Sequence, residues 1–104
     1  MIRKAFKMKV YPSKIDEYIE RHNPIWPELE ELLKAHGVHN YSIFLDAETD
    51  ALFGYAEIES EERWDAIANA PICKKWWTHM KDLMETNPDD SPQSSDLTSV
   101  FHMP

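Results

Sequence analysis

The chain has 104 residues, 42% hydrophobic and 29% charged, which is material for one packed core and includes no apolar run long enough to span a bilayer. A formal net charge of −8 sets an average field that repels phosphates, so nucleic acid is a poor partner and a neutral small molecule an easier one. Cys73 is the lone cysteine and the opening MIRKAFKMKV lacks the long apolar stretch of a secretory leader, so a single cytoplasmic domain over 1–104 is expected.

From Ala5 to Val10, Phe6, Met8 and Val10 alternate with Lys7 and Lys9, the period of a strand. Tyr11-Pro12-Ser13 ends it, and Ser13 is expected to cap a helix whose Ile15, Tyr18, Ile19 and His22 share one face. Pro24 and Pro27 break that helix, because the residue before a proline is pushed away from the helical region. A second helix on Leu29, Leu32 and Leu33 is expected to end at Ala35 or His36, with Gly37 as the stop. Strands at Val38 to Asp46 and Leu52 to Ile58 flank a polar turn and read as a hairpin. Ser60 opens a helix carrying Trp64, Ile67 and Ala68. Pro71 opens another, carrying Ile72, Trp76, Trp77, Met80, Leu83 and Met84. After an irregular stretch around Asn87 to Ser95, Leu97 to Met103 is expected to close the chain as a strand.

This order is the split βαβ pattern of an α+β, ferredoxin-like fold, with one antiparallel sheet and its helices on one face. Both sides of the hairpin strands are apolar: Tyr41, Ile43 and Leu45 alternate with Phe44, and Leu52, Ala56 and Ile58 with Phe53 and Tyr55. A sheet covered on one side only shows polar residues on the other. A second copy of the sheet is the expected cover, giving a homodimer.

Four helical positions separate Tyr18 from His22, so their side chains are neighbours just before the proline break. An imidazole there can give and take a proton near neutrality, although a histidine closing a helix beside a core tyrosine fits the same pattern. Trp76 and Trp77 point about 100° apart on a helix, so only one indole can face the core squarely and the other could stack on a sugar ring; the pattern by itself favours core or interface packing of both. Tyr41 is a possible ligand contact or a core tyrosine. No histidine and carboxylate spacing marks a metal site, Cys73 has no partner that would activate it, and two glycines leave no phosphate-binding loop.

The strings MIRKAF, RHNPIWPEL, GVHNYSIFLD, EIESEERW, CKKWW and NPDDSP, with the closing VFHMP, resemble the bacterial L-rhamnose mutarotases along nearly the whole chain. The resemblance implies a dimeric α+β barrel and interconversion of the α and β anomers of L-rhamnose without cofactor or metal. It further implies that His22 is the proton donor and that Tyr18, Tyr41, Trp76 and Trp77 contact the sugar. The rival reading from the fold alone is a small dimeric-barrel monooxygenase or isomerase acting on an apolar substrate. A cavity rich in hydroxyl-ready donors favours the sugar, and a dry one of Met and Phe favours the rival.

Overall fold

The computed structural model describes residues Met1–Pro104. Strand β1 (Ile2–Lys9) is followed by a short 3-10 turn at Pro12–Lys14 and helices α1 (Ile15–Arg21) and α2 (Pro27–Ala35). The hairpin β2 (Val38–Asp46) and β3 (Ala51–Ile58) comes next, then α3 (Glu61–Ile67), α4 (Pro71–Met80) and the two-residue strand β4 (Ser95–Asp96). The sheet order is β2-β3-β1-β4, antiparallel throughout, which is the expected ferredoxin-like arrangement.

Phe6, Met8 and Leu52 on the sheet bury against Tyr18 of α1, Leu29 of α2 and Trp76 and Met80 of α4. Gly54 stands opposite Phe6, and a Cβ on it would lie 2.4 Å from the Phe6 ring. The far end of the ring therefore lies over the glycine, where any side chain would clash. The other face carries Phe44 opposite Phe53, with Tyr55 opposite both Ala5 and Ser42, and Phe44 is 65% exposed. The two-sided apolar pattern is thus real, and one side of it lies open.

Helix boundaries follow local chemistry at most ends. Ser60 Oγ accepts from the Arg63 N–H at 3.2 Å, and prolines occupy the first turns of α2 and α4. Gly37, at φ +77°, ends α2 in the left-handed region.

Three expectations are corrected. Ser13 caps nothing: it lies inside the 3-10 turn, and α1 has no side-chain cap. Helix α4 stops at Met80. Beyond it, the Leu83 carbonyl accepts from Tyr11 N–H at 2.9 Å and Glu85 N–H donates to the Lys9 carbonyl at 3.1 Å, so this segment bonds to the end of β1. The final strand is Ser95–Asp96, not Leu97 to Met103. Leu97 N–H donates to the Ala5 carbonyl at 2.8 Å, and past that bond the tail has no neighbouring strand to take its backbone groups. Val100, Phe101 and Met103 consequently stand exposed.

Candidate active site

A cavity of about 1160 Å³ opens between the sheet and the helices, and its walls include Tyr18, His22, Tyr41, Trp76 and Trp77. All five residues singled out in the sequence are therefore brought to one place, from α1, β2 and α4.

His22 follows the last residue of α1. Its ring stacks on Tyr18 at 4.5 Å between centroids and meets the edge of Trp76 at 5.2 Å. His22 Nδ1 lies 2.8 Å from the Tyr18 carbonyl oxygen, which can only accept, so Nδ1 carries the proton. Nε2 is left as the basic nitrogen. It has no partner in the chain, and since no buried side-chain nitrogen or oxygen lacks one, Nε2 is not sealed off; the His22 side chain lines the cavity. Burial holds the imidazole below its ordinary value, and the hydrogen bond to Tyr18 opposes this only in part. Burial thereby favours the neutral imidazole.

Arg21 fixes this corner. Its guanidinium donates to Asp82 at 3.0 Å, to Glu17 at 2.8 Å and to the His79 carbonyl, tying the end of α1 to the end of α4. On the far side of Trp76, Trp26 packs at 5.0 Å and His79 at 5.7 Å. Trp76, 8% exposed, is the core-facing indole of the pair, and Trp77 is half-buried. Each indole N–H is unpartnered in the chain and reaches the open space.

Tyr41 reaches the cavity through a β-bulge. The pairing of β2 with β3 slips between His39 and Ser42, and Asn40 takes φ +48°. The one extra residue switches the alternation, so that Val38 packs in the core while Tyr41, Ile43 and Leu45 line the cavity. The Tyr41 ring packs on Phe6 at 6.1 Å and on Trp64 at 6.0 Å. Burial raises both phenols far above the ordinary tyrosine value, helped at Tyr18 by the nearby Tyr41 and at Tyr41 by Cys73. Although Tyr41 keeps 38% of its surface open, desolvation dominates at its phenol because the ring is enclosed by aromatic neighbours. Both remain protonated donors at neutral pH. Cys73 is a buried thiol pushed up to about 11 by desolvation, the inert state expected for it.

Several wall residues were not found from the sequence, among them Trp64, Lys4 and Asp96. Trp64, read there as a helix residue only, backs Tyr41 and lines the cavity. Lys4 lines it from β1. Extending the alternation of Phe6 and Met8 back by two residues is the signal that points Lys4 inward.

The L-rhamnose mutarotase family model matches residues 3–103. The chain belongs to this family. It is 59% identical to the L-rhamnose mutarotase of Pectobacterium atrosepticum over 103 residues, covering 99% of both chains, and 61% identical to that of Tolumonas auensis with the same coverage. The crystal structure of an L-rhamnose mutarotase from Formosa agariphila superposes with a TM-score of 0.92 at 46% identity, covering 100% of both chains. An antibiotic biosynthesis monooxygenase superposes with a TM-score of 0.64 at 13% identity, which is a likeness of fold. The rival reading rested on fold likeness and gains nothing more from it.

Proposed function

We propose that this protein interconverts the α and β anomers of L-rhamnose, with His22 carrying the proton. Membership of the mutarotase family supports the reaction. The observation that supports the assignment of the residue is the commitment of Nδ1 to the Tyr18 carbonyl, which leaves Nε2 as the free basic nitrogen of a side chain that lines the cavity.

In this reading His22 starts as acceptor and ends as donor. Nε2 takes the proton of the anomeric hydroxyl; the C1–O1 bond becomes a carbonyl as the ring C1–O5 bond breaks, and its electron pair goes to O5. The imidazolium then gives its proton to O5. One imidazole serves both oxygens because both are attached to C1. The aldehyde turns about C1–C2, O5 adds to the other face, and the same proton transfers run in reverse. No redox change occurs. Tyr18 and Tyr41, held in the phenol form, donate to sugar oxygens, while the indole of Trp77 offers a flat face for the C–H side of the ring.

The reading includes a second copy of the chain, packed on the open sheet face around Phe44, Phe53 and Tyr55. It also places the enzyme in the cytoplasm, where a lone cysteine is kept reduced. No helix is long and apolar enough to cross a membrane. Magnetisation-transfer NMR between the two L-rhamnose anomers tests the activity: exchange above the protein-free rate is expected, and an unchanged rate with folded protein would overturn the proposal.

A further inference from the structure

Lys4 stands where an apolar side chain belongs. It occupies the row of β1 that also holds Phe6 and Met8, and it pairs across the sheet with the fully buried Ala56. Its side chain is only 16% exposed. An ammonium has three donors and accepts nothing. One reaches Glu61 Oε2, at the start of α3, at 3.3 Å. Asp96 Oδ2, on β4, is 3.9 Å away, beyond a direct hydrogen bond, and the Asp96 carboxylate makes no hydrogen bond in the chain. Lys4 thus pairs with two carboxylates, Glu61 and the more distant Asp96, each on a side chain more than half exposed, and such pairs stabilise little.

Both Lys4 and Asp96 line the cavity. We propose that Lys4 and Asp96 form a clamp for one ring hydroxyl of the sugar, an inference that rests on the mutarotase reading. An oxygen about 2.8 Å from the ammonium and about 2.7 Å from the carboxylate closes a triangle whose third side is the observed 3.9 Å. Such an oxygen must accept from Lys4 and donate to Asp96. A hydroxyl does both; a carbonyl, a methyl group or a carboxylate does not. The clamp thereby discriminates against anions through Asp96 and against cations through Lys4. It lies on the Tyr41 side of the cavity, since Phe6, two residues along β1, touches Tyr41 and Trp64, while His22 belongs to the Tyr18 and Trp76 cluster. It therefore grips the ring away from C1.

The test uses Lys4→Met, which keeps the apolar stem, and Asp96→Ala, which removes the acceptor at an exposed position. Binding is read from indole fluorescence and exchange from NMR, with L-rhamnose and its singly deoxygenated ring analogues. For Lys4→Met, the half-saturating rhamnose concentration is expected to rise about ten- to a hundredfold, with the saturated exchange rate within about threefold of the parent. The parent is expected to bind one analogue more weakly by a similar factor, and Lys4→Met to bind that analogue and rhamnose alike. A purely structural lysine would weaken all the sugars together, and that result, or no weakening, overturns the clamp. If Lys4→Met does not fold, Asp96→Ala, which removes the acceptor, answers with the same sugars: lost preference against that one analogue supports the clamp, and preserved preference overturns it. A parent that exchanges no anomers would sink the mutarotase reading, whereas an active parent with unshifted variants sinks only the clamp.

Discussion

Replacing His22 tests the proposed chemistry most directly, and two variants separate chemistry from packing. His22→Phe keeps a ring to stack on Tyr18 and to meet the Trp76 edge, contacts now at 4.5 and 5.2 Å, but carries no transferable proton. His22→Ala removes the ring, and with it the 2.8 Å bond to the Tyr18 carbonyl. That bond and the lost contacts are worth about 1–2 kcal/mol of stability, so the domain should still fold. A positioned acid or base contributes about 10²–10⁴-fold in rate, or roughly 3–5 kcal/mol of barrier. Both variants should therefore lose at least about tenfold of the exchange rate, the conservative side of that range. The assay is magnetisation transfer between L-rhamnose anomers at saturating sugar, with the protein-free rate in the same buffer subtracted, because hydroxide and buffer catalyse the reaction unaided. Added imidazole should restore part of the rate to His22→Ala and none to His22→Phe, whose ring fills the space. If folded His22→Ala keeps the full rate above background, His22 is not the proton carrier.

Because burial lowers the His22 pKa and the neutral form starts the cycle, the exchange rate should be greatest on the alkaline side of the ordinary histidine value and fall as acid carries the pH through the lowered value. A pH profile of the parent checks this, and a rate that instead rises on acidification would show the imidazolium to be the starting form. The same shift has a stability consequence: the unfolded chain binds this proton more readily, so the contribution is complete above 6.5 and is lost as pH falls toward the folded-state pKa, measurable by denaturant titration. Trp77→Ala should raise the half-saturating sugar concentration while the fold persists; Trp76→Ala, at a core position, should cost about 3–5 kcal/mol of stability as well. Equal denaturation midpoints for the two variants would contradict the core assignment of Trp76. The parent should sediment at twice the 12.2 kDa chain mass and Phe44→Glu as a single chain; a parent mass of one chain at micromolar concentration would remove the dimer.

Short-range sterics and periodicity are legible along the chain alone. Pro24 and Pro27 separate α1 from α2, Gly37 ends α2, Ser60 and Pro71 open α3 and α4, and four helical positions put His22 over Tyr18. The two-period of Ile43, Phe44 and Leu45 likewise gave the face of each side chain without any knowledge of its partner. The resemblance then assigned roles to residues whose pattern alone left core packing open. The tertiary structure decided what depends on the group standing opposite. Tyr41 reaches the cavity because β2 bulges against β3, and Lys4 faces inward because β1 begins three residues before its visible alternation. The last helical pattern, through Leu83 and Met84, yields to bonds with β1, and the final apolar run ends as a strand after two residues because a strand persists only while a neighbour takes its backbone groups. His22's proton state is of the same kind: its spacing from Tyr18 is written in the chain, but the carbonyl that fixes its tautomer and the walls that desolvate it exist only when α1, α4 and the sheet are packed together.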